Sequence, residues 1–126
     1  MIAGDHGDGE RPEPVAQLVG APQPIVWSAK SADEQAHQLR LLTAWVTWLT
    51  DRYRLDHRTI PPCWSQHGDL IEELAALHLA WQAAYSRLAH GDAPLLWHEH
   101  FAIARARLAE AVARTGCRPA EHRGGA

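Results

Sequence analysis

An all-α fold, specifically a three-helix antiparallel bundle, follows from three features of this 126-residue sequence. Leu and Ala dominate the apolar complement, three stretches repeat apolar residues at spacings of three and four, and no segment alternates as a strand would. Ile and Val, which favour strands, are few. Six Trp and one Phe supply the bulky core candidates. The length suits one domain with a single core.

The elements are justified in chain order. Residues 1–24 carry Pro12, Pro14, Pro22 and Pro24 with several Gly and little that can be buried, which predicts a disordered arm preceding a helical domain at 25–126. Ile25, Val26 and Trp27 are expected to dock on the domain. Ser31 with Glu34 forms a Ser-x-x-Glu capping box that opens the first helix. Its apolar face is Leu39, Leu42, Val46, Leu49 and Tyr53, widened by Trp45 and Trp48. Ile60-Pro61-Pro62 cannot continue a helix, so the first ends near Tyr53 or Arg54.

The second helix is expected from about His67 to about His90, on the stripe Leu70, Leu74, Leu77, Trp81, Tyr85 and Leu88. Gly91 suits the left-handed residue that closes it. The third opens at Asp92 with Pro94 in its first turn and follows Trp97, Phe101, Ala104, Leu108 and Val112 to Gly116. The tail from Cys117 has no periodicity. Short loops make sequence neighbours pack as antiparallel neighbours.

Charge limits the partners. Residues 1–14 hold four acidic groups against Arg11, a net −3, and the remainder balances eleven basic against eleven acidic side chains. A neutral domain lacks the basic footprint of a general nucleic-acid binder. No stretch has the roughly 18 apolar residues of a membrane span. The acidic N-terminus is the opposite of a cationic signal peptide, so the expected location is cytoplasmic. In a reducing compartment two cysteines serve as ligands or free thiols more often than as a disulfide.

Those cysteines carry the chemistry. Cys63-x-x-x-His67 lies between the first two helices, and Cys117-x-x-x-x-His122 follows the third. An up-down-up bundle places both at one end, and together they offer the Cys₂His₂ set of tetrahedral Zn²⁺. The alternatives are a chance meeting among nine histidines or a Cys63–Cys117 disulfide. In Trp97-His98-Glu99-His100-Phe101 the two histidines point about 200° apart on a helix and cannot chelate one ion together. Either His98 or His100 can still substitute for His67 or His122 as a ligand. Arg105, Arg107, Arg114, Arg118 and Arg123 face Glu110 and Glu121, a local +3. This run reads as a solvated face that complements the helix C-terminus, with a DNA contact as the alternative. No nucleophile elbow, phosphate loop or dinucleotide fingerprint is present, and four protein ligands leave no open metal position for catalysis.

The sequence also resembles an uncharacterised family encoded on actinobacterial conjugative plasmids, integrative elements and phages. The likeness covers about residues 36–122. It runs through Ala44-Trp45-Val46, Tyr53, Pro62-Cys63-Trp64-x-x-His67, Glu73-Leu74-x-Ala76-Leu77-x-x-Ala80-Trp81, Trp97 and Cys117-x-Pro119-x-x-His122. The resemblance implies that Cys63, His67, Cys117 and His122 act as a set. This chain departs from it at Ser65 and at His67-Gly68, where a second Trp and a His-Pro are common. Glu99-His100-Phe101 stands where the family often has Asp-His-Leu, which keeps His100 as an alternate ligand. Composition and motifs lead to a non-enzymatic accessory or adaptor protein with a protein partner and a structural zinc, and the resemblance implies that it serves a plasmid, integrative element or phage. The alternatives are a small DNA-binding protein and, more distantly, a metal-dependent hydrolase.

Overall fold

The computed structural model describes residues 22–118 and 121–123. The expected arm, apart from residues 22–24, lies outside the described residues. Three helices form an antiparallel bundle: α1 at Ala32–Arg52, α2 at Gly68–Ala84 and α3 at Ala93–Thr115. Among the described residues there is no strand, only an isolated bridge between Arg118 and Glu121. No helix of the described chain is long and apolar enough to cross a membrane.

The start of α1 is the capping box that the sequence announces. Ser31 Oγ accepts from the Glu34 N–H at 3.2 Å, and Glu34 Oε1 accepts from the Ser31 N–H at 2.8 Å. Just upstream, Trp27–Ala29 forms a 3₁₀ turn whose Trp27 packs on the core, and the Gln35 side chain donates to the Trp27 carbonyl at 2.8 Å. The end of α1 is less orthodox. Arg54 takes the left-handed conformation at φ 56°, so that the Leu55 N–H reaches the Thr50 carbonyl at 3.0 Å and Leu55 is buried. This is the closing motif that glycine usually supplies.

Helix α2 is shorter than the apolar spacing predicts. It ends at Ala84 rather than near His90, and Leu88 is 95% exposed instead of continuing the stripe. The Ser86 hydroxyl donates to the Ala83 carbonyl at 3.0 Å while the Ser86 N–H approaches the same carbonyl at 3.3 Å. Such local bonds replace the next helical ones and turn the chain. Gly91 therefore closes nothing, and the left-handed glycine of this fold is Gly116, at φ 75°, which ends α3. Asp92 occupies the cap position of α3 without a side-chain capping bond.

The core is aromatic at its centre. Trp45, Trp81 and Trp97 are almost fully buried and meet at ring-centroid distances of 5.8 Å for Trp45–Trp81 and 6.4 Å for Trp45–Trp97. Trp97 Nε1 donates to the Leu77 carbonyl at 3.2 Å, which fixes α3 against α2 by a polar bond inside an apolar interface. His78 stacks on Trp45 at 4.6 Å and bonds to Gln82 at 3.1 Å. Burial holds its pKa down to about 4, because the charged ring would lose its water.

Candidate metal centre

The turn between α1 and α2 presents Cys63 and His67, two candidate ligands. Pro61 and Pro62 force an extended approach. Then the Trp64 N–H donates to Pro61, Gln66 to Cys63 and His67 to Trp64, at 3.0, 2.9 and 3.1 Å. These tight turns wrap Cys63 and His67 around Trp64, whose indole is buried in the core. The His67 carbonyl accepts from Leu70 and Ile71 and so begins α2. His67 is 0% exposed.

The other pair comes from the tail. Gly116 reverses the chain, and the Cys117 N–H donates to Thr115 Oγ1 at 3.0 Å. Arg118 and Glu121 exchange backbone bonds of 2.9 and 3.0 Å. This bridge precedes His122, and the Arg123 N–H donates to Cys117 Sγ at 2.9 Å. A backbone N–H aimed at sulfur favours the thiolate.

Cys63, His67, Cys117 and His122 thus converge, with one donor atom from each all lying within 4.8 Å of one another. Cys63 Sγ is 3.6 Å from His67 Nε2, Cys117 Sγ is 3.5 Å from the same nitrogen, and Cys117 Sγ is 3.5 Å from His122 Nδ1. A zinc–sulfur bond of about 2.3 Å and a zinc–nitrogen bond of about 2.05 Å at a tetrahedral angle put sulfur and nitrogen about 3.6 Å apart. The three sulfur–nitrogen distances given above match that figure, and the full set lies within 4.8 Å, so these four residues could hold a metal ion.

Neither proposed substitute joins this cluster. His98 Nε2 bonds to the Tyr53 hydroxyl at 2.9 Å. His100 lies on α3 fifteen residues before Thr115, more than about 20 Å along the helix from its C-terminal end. The four residues that converge are Cys63, His67, Cys117 and His122, without either substitute.

Protonation within the cluster is uneven. Burial pushes the Cys63 thiol up, and the adjacent Cys117 sulfur adds to this. Desolvation also pushes Cys117 up, but the Arg123 N–H, Thr115, Cys63 and His67 together outweigh it and bring Cys117 down to about 6. The surroundings therefore push the two thiols in opposite directions, Cys63 up and Cys117 down. Two supporting groups, the Arg123 N–H and Thr115, have no signature in the ligand spacing. His67 Nδ1 is buried without a hydrogen-bond partner among the described residues, so the ring is positioned by packing and by its Nε2 contacts.

The arginines do not form one stripe. Arg107 pairs with Glu73 on α2 at 2.8 Å, whereas Arg105 lies over the Phe101 ring at 5.6 Å. Two residues apart on a helix, their side chains leave on nearly opposite sides. No family model, curated protein or solved structure matches the chain.

Proposed function

We propose that this chain is a non-enzymatic binding module in which Cys63, His67, Cys117 and His122 hold one structural Zn²⁺. The observation that carries the metal is the set of sulfur–nitrogen edges of 3.5–3.6 Å. Two thiolates and two imidazoles select zinc over the oxygen-seeking Mg²⁺ and Ca²⁺. Four protein donors leave no position for a substrate or an activated water, which argues for a clamp rather than a catalyst. The clamp ties the tail to the α1–α2 turn, fifty residues away in sequence.

The reading as an adaptor is supported by the surface. Leu95, Leu96 and Ile103 are exposed on α3, at 66%, 46% and 54%. Leu96 and Ile103, seven residues apart, share a helix face of the kind that partner proteins cover. The resemblance to proteins of conjugative plasmids, integrative elements and phages suggests that the partner belongs to such an element. A DNA-binding role is the second reading, favoured by Arg58 and Arg118, which line one cavity beside Cys117. Two measurements on the full chain separate the readings. Elemental analysis of protein purified without chelator should find one zinc per chain. An anisotropy titration with random duplex and single-stranded DNA should show nothing tighter than the 10⁻⁴–10⁻⁶ M range, roughly, of non-specific contacts at physiological salt. A salt-resistant nanomolar complex would replace the adaptor reading with the DNA-binding one.

A further inference from the structure

The two sulfurs of the cluster differ in access. Cys63 is buried, whereas Cys117 is half-buried on the tail. Cys117 also lines a cavity of about 580 Å³ together with His57, Arg58, Val112, Gly116 and Arg118, and Cys63 is not part of that wall. A water-sized molecule occupies about 30 Å³ of liquid, so a small hydroperoxide enters this space easily. Neither Arg58 nor Arg118 has an ion-pair partner among the described residues, which leaves guanidinium donors at the wall to hold a peroxide oxygen.

We propose that Cys117 is an oxidation site for hydroperoxides, with Cys63 as the resolving thiol, and that the pair opens the metal centre. The inference rests on the metal reading above for its consequence, although the thiol chemistry can be tested apart from it. A cysteine that coordinates a metal is already a thiolate. The Cys117 sulfur attacks the terminal oxygen of R–O–O–H, forming an S–O bond as the O–O bond breaks. The alkoxide leaves and takes a solvent proton to become the alcohol. Cys117 is then a sulfenic acid. The Cys63 thiolate attacks that sulfur, the S–S bond forms, and hydroxide leaves as water with a second solvent proton. Two electrons pass from the two sulfurs to the peroxide.

The donor atoms of the cluster lie within 4.8 Å of one another, so the two sulfurs are already neighbours before either reacts. Disulfide formation removes both sulfur donors, and two histidines alone do not retain a structural zinc. The tail stays attached by the new bond while the ion leaves.

The test uses the full chain loaded with Zn²⁺ and treated with hydrogen peroxide. A colorimetric zinc chelator reports release, and peptide mass mapping with dimedone reports which sulfur reacts first. The expected result is one zinc released for each Cys63–Cys117 disulfide, reversed by dithiothreitol with added zinc. Under limiting peroxide with dimedone present, the adduct should appear on Cys117, and Cys63→Ser should stop at that adduct. First labelling at Cys63, or thiols that react no faster than free N-acetylcysteine, overturns the proposal. Should the purified protein hold no metal, the metal reading fails on its own. The same peroxide assay on the metal-free wild-type chain then decides the oxidation site by whether the disulfide forms through Cys117.

Discussion

His67 Nε2 lies 3.5 Å from Cys117 Sγ, a contact across fifty residues of sequence that joins the start of α2 to the chain beyond α3. Cys63 Sγ reaches the same nitrogen at 3.6 Å. In the absence of a metal this packs two thiols against a buried imidazole whose other nitrogen has no partner among the described residues. Two thiols and two imidazoles drawn to one point are the donor types that a zinc ion takes, which is the ground of the proposal tested below.

Cys117→Ser should therefore cost more than an ordinary surface change. Loss of a structural ion removes binding free energy that contributes directly to folding. A loss of about 2 kcal/mol corresponds to a melting temperature lowered by roughly 8–16 °C in a domain of this size. Thermal scans of wild type, the variant and chelator-treated wild type should show the last two melting together and below the first.

The aromatic centre gives a separate stability test. Trp81 is 1% exposed and touches Trp45, Trp48 and Tyr85. Trp81→Ala should cost about 3–5 kcal/mol in urea denaturation, because it opens a large cavity among rigid rings. Leu88→Ala should stay within about ±0.5 kcal/mol, as expected of an exposed side chain.

Backbone strain predicts opposite effects at two helix ends. Arg54 and Gly116 both hold positive φ, at 56° and 75°. The left-handed region costs a residue with a Cβ roughly 1–2 kcal/mol. Arg54→Gly should raise stability by about 0.5–1 kcal/mol. Gly116→Ala should lower it by about 1 kcal/mol and weaken metal affinity, because Gly116 sets the direction of Cys117. Equal small effects at both positions would contradict this account.

His78 makes stability depend on pH. Its pKa is about 4 in the folded chain and about 6.5 when unfolded. Between these values the unfolded chain binds the extra proton, so stability rises with pH across that window. The contribution is complete above about pH 6.5 and shrinks as pH falls towards 4, by up to about 3 kcal/mol. His78→Phe keeps a ring against Trp45 and removes the proton site. The difference in unfolding free energy between wild type and variant should change by roughly 1–3 kcal/mol between pH 7 and 4.5, a comparison in which the titration of the Cys and His cluster cancels. A constant difference would contradict the assignment.

Much of this architecture is legible in the sequence because local signals and periodicity agree. The Ser31–Glu34 box sets the start of α1, and the Leu39 to Tyr53 stripe sets its face. The end of α2 is not legible in the same way. Leu88 continues the spacing of three and four, but a hydroxyl bond from Ser86 ends the helix before it, and apolar periodicity carries no information about that competition. The Cys–His pairs are visible because Cys and His recur at short spacings before α2 and after α3. What spacing cannot show is the Arg123 amide on Cys117, since every residue but proline has that group. The burial of His78 is similarly hidden: its ring joins the core through a stack on Trp45, which depends on the packing of α1 against α2.

The most direct test of the metal centre is X-ray absorption at the zinc edge on the full chain purified without chelator. One zinc per chain, with two sulfur neighbours at about 2.3 Å and two nitrogen neighbours at about 2.0–2.1 Å, is the result expected for Cys63, Cys117, His67 and His122. In Cys117→Ser the two-sulfur shell should be gone. An unliganded protein, or a zinc surrounded by oxygen or by histidine alone, would contradict the clamp.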